Sequence, residues 1–289
     1  MSSNRERNDR KPKKTQGFKP RPERAWAPKS DSGPPRDSAP RAPRQKVEPD
    51  NLIWGRHPVV AALANPARKG MGRLLATQER AEELASGGLN NGHQIEIMDG
   101  PALARMVPPG AVHQGLVFKV APLEGVTLEE IAEPAEGVIV MLDQITDPQN
   151  VGAVFRSALA FGAKGIVVQD RHSPALAGAL AKAAAGATER LPCVRATNLS
   201  RALERLADLG WRAVGMDGSA EMTLDAALDG RPTVIVMGSE GDGIRRLVAE
   251  HCEVLAKIPM PGGFESLNVS NAAAIALYEA ARAQKKAVR

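Results

Sequence analysis

The sequence predicts an α/β protein: a mostly parallel sheet covered by helices on both faces, preceded by a smaller α/β unit. Three observations lead there. From Gly137 onward, short runs that are apolar throughout recur between Ala-rich helical stretches, as strands buried on both faces require. Residues 50–121 alternate shorter strand-like and helical segments, the pattern of a small sheet covered by helices. In 289 residues, 43% are hydrophobic but only 3% aromatic, enough for two cores built from Ala, Val, Leu and Ile.

Residues 1–49 read as a disordered basic arm. Of 38 basic and 33 acidic residues in the chain, 14 and 7 fall within residues 1–50, with nine of the 22 prolines. The other 239 residues keep 24 and 26, so the basicity belongs to the arm. Such a segment cannot bury enough apolar surface to offset the entropy of ordering. A mobile cationic arm suits salt-sensitive phosphate contacts, although a solubilising tail without a partner has the same composition. No apolar stretch follows the charged start as in a signal peptide, and no run is long enough to span a membrane. A cytoplasmic protein is expected.

Cys193 and Cys252 are far apart and form no C-x-x-C, and the five histidines form no metal-ligand spacing. They predict free thiols and no metal site.

In the small unit, strands are expected at 52–54, 73–77, 94–98 and 115–120, and helices at 58–64 and 78–86. Residues 122–136, rich in Pro, Glu and Gly with Leu128 and Ile131 as apolar anchors, read as a linker. The unit 137–289 has predicted strands at 138–142, 166–168, 211–215, 234–237 and 254–258. Predicted helices lie between them at 151–161, 174–185, 199–209, 243–251 and 270–285.

In such sheets ligands bind at the carboxyl ends of the strands. Three loops there are polar or glycine-rich: Asp143 to Asn150, Gly238-Ser-Glu240-Gly-Asp-Gly243, and Ile258 to Asn271. In the last, Ser266, Asn268 and Ser270 stand at spacing two where a helix should begin. A serine there is an ordinary N-cap, but three such groups after Gly262 and Gly263 also suit a binding loop. Arg156 is the polar exception on an apolar helix; it either pairs with Asp143 or Asp147 or offers its donor fork to phosphate or a developing oxyanion. Glu240 follows a buried strand where packing has no use for a carboxylate. The glycines lack the G-x-G-x-x-G spacing and an acidic partner about 20 residues on, and no P-loop motif exists, so dinucleotide and P-loop chemistry are disfavoured.

Together, Asp147-Pro-x-Asn150-x-Gly152-x-x-x-Arg156, Gly238-x-Glu240-x-x-Gly243 and Ile258-Pro-Met260 with Ser266-Leu-Asn-Val-Ser270 resemble the three motifs of the SpoU branch of the SPOUT RNA methyltransferases. Gly55-Arg56-His57-Pro58-Val59 and His113-Gln114-Gly115 resemble that family's L30e-like RNA-substrate-binding domain. The resemblance implies a C-terminal trefoil knot, against the general rule that chains do not thread loops, and a homodimer with sites at the interface. It implies S-adenosylmethionine as cofactor, held near Gly238, Ile258, Met260 and Leu267. The implied reaction is methyl transfer to a ribose 2′-hydroxyl of RNA, and the two-domain layout is most similar to enzymes acting on a guanosine of 23S rRNA. Arg156, Glu240, Asn150, Ser266 and Asn268 would carry the chemistry. Arg156 is expected to steady charge, with Glu240 or a water taking the proton, because a guanidinium hardly deprotonates. Rival readings are a tRNA ribose methyltransferase of the same family, a non-catalytic rRNA-binding assembly factor, and a metal-dependent phosphodiesterase using Asp143, Asp147 and Glu240.

Overall fold

The computed structural model describes residues 51–262 and 266–287. The expected basic arm and residues 263–265 of the Pro/Gly turn lie outside the described residues.

The small unit runs β1 (Leu52–Trp54), α1 (Arg56–Ala64), β2 (Arg73–Ala76), α2 (Gln78–Ser86), β3 (Ile95–Ile97), α3 (Gly100–Met106) and β4 (Leu116–Lys119). Its four-stranded sheet has the order β1-β4-β2-β3, with β4 antiparallel to both neighbours and β2 parallel to β3. Alternate residues of β2 and β4 face opposite sides. Leu74 and Phe118 pack with α1 and α2, while Leu75 and Val117 pack with Leu103 of α3. Helix α3 was not expected, although it carries a start signal: the Asp99 side chain accepts from Ala102 N at 2.6 Å and Pro101 sits in the first turn.

The connecting segment carries α4 (Leu128–Ala132), opened by a capping box. Thr127 Oγ1 accepts from Glu130 N, and Glu130 Oε2 accepts from Thr127 N at 2.6 Å. Its Ile131 is buried against the bare face of Gly165, where a Cβ would lie 2.9 Å from Ile131 Cγ2.

The larger unit continues through β5 (Val138–Leu142), α5 (Pro148–Ala160), β6 (Gly165–Gln169), α6 (Gly178–Ala184), β7 (Cys193–Ala196), α7 (Leu199–Asp208) and β8 (Arg212–Met216). It is completed by β9 (Met222–Thr223), α8 (Leu224–Ala227), β10 (Thr233–Met237), α9 (Arg246–Ala249), β11 (Val254–Lys257) and α10 (Val269–Ala287). The seven strands lie in the order β7-β6-β5-β10-β8-β11-β9, and each neighbouring pair is parallel. The expected doubly covered sheet is therefore present. Val138, Val140 and Leu142 face one core with α5, α6 and α10; Ile139 and Met141 face the other with α4 and α7. Strands β7 and β9 were not expected, because Cys193–Ala196 contains an arginine and Met222–Thr223 has only two residues. Helix α8, four residues long, was also missed.

Helix α6 serves both units. Its Ala183 and the Leu180 carbonyl lie where a Cβ on Gly152 of α5 would come within 2.6 Å, so only glycine permits that approach. Its Ala181 joins the small unit's core with Ile53, Val59 and Leu63. Beyond α6, Glu189 forms a fully buried pair with Arg68, which donates through Nε at 2.7 Å and Nη2 at 2.9 Å. Asn65 Nδ2 also donates to Glu189, and Arg68 Nη1 to the Ala121 carbonyl.

Candidate active site

Because the seven strands are parallel, the loops after β5, β10 and β11 open on the same edge of the sheet, and β10 lies directly beside β5. Asp147 caps α5, its carboxylate accepting from Gln149 N at 3.2 Å and Asn150 N at 3.1 Å, with Pro148 at the first helical position. This places Asn150 in the first turn at the sheet edge.

After β10 the chain makes a tight hairpin in which Ser239 and Gly243 exchange backbone hydrogen bonds at 3.1 Å. Gly238 permits it: a Cβ there would lie 2.1 Å from the backbone of Gly243. The hairpin is anchored by Asp143, fully buried, which accepts from Arg245 N at 2.8 Å and from its guanidinium at 2.6 and 2.8 Å.

The third loop ends at α10, and the N-cap is Asn268, not Ser266 or Ser270. Asn268 Oδ1 accepts from Ser270 N at 3.0 Å and Ser270 Oγ at 2.6 Å. With the oxygen so committed, Asn268 Nδ2 faces away from the helix and donates to Glu240 Oε1 at 2.8 Å and to Asn150 Oδ1 at 3.0 Å. Glu240 Oε1 also accepts from Val269 N at 3.1 Å, which sets a carboxylate at the positive end of α10. One residue from each motif thus meets in a single hydrogen-bonded set.

Beside this set is a cavity of about 520 Å³, within the range of small-molecule sites. Gly238, Glu240, Ile258, Met260, Ser266, Leu267 and Asn268 all line it. Asn150 reaches its wall through Asn268. Arg156 does not line it; exposed on α5, it pairs with neither Asp143 nor Asp147 and has no polar partner among the described residues. The cavity wall also includes Asp217 and Lys257, which the sequence reading passed over. Asp217 stands just past the carboxyl end of β8, so strand position was the signal available for it.

The phosphodiesterase reading loses two of its three carboxylates, since Asp143 is bound by Arg245 and Asp147 caps α5. Among the described residues, no group of three His, Cys, Asp or Glu is placed to hold a metal ion. Both thiols are free. Burial pushes Cys193 up to about 11 and Cys252 up to about 12, the latter helped by the nearby Asp143 charge, so neither is a nucleophile at neutral pH. No helix among the described residues is long and apolar enough to cross a membrane.

Comparison with known proteins identifies the family. The SpoU rRNA Methylase family matches residues 137–278, and a domain described as RNA 2′-O ribose methyltransferase substrate binding matches 52–126. A tRNA/rRNA methyltransferase of Mycobacterium sp. (strain KMS), itself uncharacterized, is 39% identical over 254 residues, covering 85% of this chain and 80% of that one. The chain belongs to the SpoU family of RNA methyltransferases. Among solved structures, the SpoU methyltransferase AviRb of Streptomyces viridochromogenes in complex with AdoMet superposes with a TM-score of 0.69. It is 26% identical, with 80% of this chain and 89% of that one covered. An AdoMet-bound rRNA methyltransferase of Sinorhizobium meliloti gives 0.66 at 25% identity, covering 80% and 86%.

The SpoU cofactor is S-adenosylmethionine, and the residues present fit it. Ile258, Met260 and Leu267 offer apolar walls of the kind an adenine occupies, and the Asp217 carboxylate sits on the wall of the same cavity, suited to a cationic ligand.

Proposed function

We propose that this SpoU enzyme methylates a ribose 2′-hydroxyl of RNA, most specifically of a guanosine in 23S rRNA, and that it works as a homodimer. The observation that carries the reading is that Glu240 and Asn268, on the wall of the cavity that Gly238, Ile258, Met260 and Leu267 also line, are hydrogen-bonded to each other and, through Asn268, to Asn150. When bound, S-adenosylmethionine supplies an electrophilic methyl group on a sulfonium. Gly238, Ile258, Met260 and Leu267 would hold its adenosine part, and the Asp217 carboxylate, whose Oδ1 already accepts from Ser219, would receive its cationic end.

A ribose hydroxyl is a poor nucleophile until its proton is shared. Glu240 Oε1 is occupied by Asn268 and Val269, whereas Oε2 has no partner among the described residues, and we assign it the hydroxyl proton. Asn150 keeps both amide protons for the substrate because its oxygen takes Asn268. Ser266, on the exposed rim, hydrogen-bonds at the edge of cofactor or substrate. Arg156 steadies the developing alkoxide and a neighbouring phosphate; its lack of any polar partner supports a role that begins when RNA or a second subunit arrives.

Two further features support the assembly. β10 is inserted late between β5 and β8, and α10 returns against α5, as a knotted C-terminal path requires. Phe161 and Tyr278 form an exposed edge-to-face pair, with Ile275 one turn away, an apolar face suited to a second copy.

The test is methyl transfer to 23S rRNA, with mapping of 2′-O-methyl positions. Glu240→Gln is expected to lower kcat about a hundredfold or more with cofactor binding retained. Arg156→Lys is expected to lose rate because a point charge replaces the fork. Wild-type rates in both variants would overturn the assignment. Transfer to tRNA alone would select the tRNA enzyme, and absence of transfer the assembly factor.

A further inference from the structure

Where the small unit meets α6, three cations gather around Gln114, two of them with carboxylate partners. Lys182, in the second turn of α6, donates to Gln114 Oε1 at 2.9 Å, and the same oxygen takes Arg56 N at 3.0 Å. The Gln114 carbonyl accepts from Arg80 Nε at 3.3 Å. Glu83 is shared between Arg56, at 2.8 Å, and Arg80. Among the described residues the Lys182 ammonium therefore has only a neutral amide oxygen, while the two guanidinium groups share Glu83 and Arg80 also lies 4.0 Å from the exposed Glu79, leaving three cations against two carboxylates.

Two backbone positions beside that ammonium lie in the left-handed region. Gly55 has φ +91°, and a Cβ there would lie 2.2 Å from Lys182 Nζ. Gln114 occupies φ +55°, a left-handed conformation uncommon outside glycine. Partial burial holds the Lys182 pKa below the ordinary lysine value, as expected of a charge short of counter-ions. Arg56 and Arg80 remain reachable, their side chains 42% and 32% exposed.

We propose that this seam is an anchor for an RNA backbone phosphate, held by Lys182 of the larger unit together with Arg56 and Arg80 of the small one. It rests on the reading of the protein as an RNA methyltransferase and adds a contact that the catalytic set does not contain. Forked guanidinium donors beside an ammonium match a phosphate's oxygens. Lys182 lies between Ala181, in the small unit's core, and Ala183, against Gly152 of α5. A phosphate bound there is consequently registered against the helix that bears Asn150 and Arg156.

The experiment titrates full-length protein into a labelled hairpin transcript of 23S rRNA across a range of KCl concentrations. Lys182→Met and Arg56→Gln are each expected to make the slope of log affinity against log salt shallower by about one unit. That corresponds to about tenfold weaker binding at 0.1 M salt relative to the 1 M reference. Arg205→Gln removes an exposed α7 cation paired with Glu129 and should leave the slope unchanged, as should S-adenosylmethionine affinity in each variant. Lys182→Arg should restore the slope. If Lys182→Met also loses cofactor binding, and with it its fold, the slopes of Arg56→Gln and Arg80→Gln decide. Wild-type slopes and affinities in the seam variants, with methyl transfer still lost in Glu240→Gln, overturn the anchor and leave the functional reading intact. Failure of the wild-type protein to bind RNA overturns both.

Discussion

At the scale of the residue, Asn268 does the most with the fewest atoms. One end of its amide caps α10, which turns the other end toward Glu240 and Asn150, so a requirement of helix geometry also builds the hydrogen-bonded set beside the cavity. Gly238 acts by absence, leaving room for the glycine hairpin to fold back on itself. Gly238→Ala is therefore expected to cost roughly 1–3 kcal/mol in overpacking. It should also weaken cofactor binding at least tenfold by calorimetry, with the far-ultraviolet circular dichroism unchanged; unaltered affinity would show that the hairpin does not shape the cavity. Glu240, Ser266 and Asn268 drew notice in the sequence because polar groups just after apolar strands have no packing purpose, and Asn150 through the resemblance; the structure brings Asn150, Glu240 and Asn268 into hydrogen-bond contact. That Asn268, not a neighbouring serine, is the cap was not legible, since the residue types have similar capping tendencies and only the position of Val269 in the first turn decides between them.

At the scale of the element, α6 is the joint of the molecule. It packs on α5 through Gly152 and contributes Ala181 to the small unit's core, and the buried Arg68–Glu189 pair lies just beyond it. Removing one member of such a pair leaves an unpaired charge in a dry site, so Arg68→Ala is expected to lose about 3–5 kcal/mol, read from urea unfolding. A loss under about 1 kcal/mol would mean that water or another cation reaches Glu189. Most strands of the larger sheet were recognisable because double burial makes them apolar throughout. The missed elements are short or carry polar residues: β7 contains Arg195, β9 has two residues, and α4 was masked by Pro and Glu despite its Thr127–Glu130 capping box. Only their neighbours stabilise them, and neighbours are a tertiary property.

At the scale of the whole molecule, the exposed Phe161, Ile275 and Tyr278 face is the surface proposed for the second subunit. Tyr278→Asp places a charge on that face, and sedimentation equilibrium is expected to show a dimer for the wild-type protein and a monomer for the variant. Persistence of the dimer would place the interface elsewhere. If Arg156 acts only in the assembled enzyme, methyl transfer should fall with the dimer while the cavity still binds cofactor.

The sequence by itself determined the class of the sheet, because burial on both faces is written in local composition, and the family, because three spaced motifs resemble it. The tertiary structure alone decided partners. Asp143 went to Arg245 and left Arg156 uncommitted, Asn268 joined Glu240 to Asn150, and Lys182 came to face Gln114, Arg56 and Arg80. Residue type limits which bonds a side chain can make, but residues tens of positions apart become alternatives only when the strand order brings their loops to one edge.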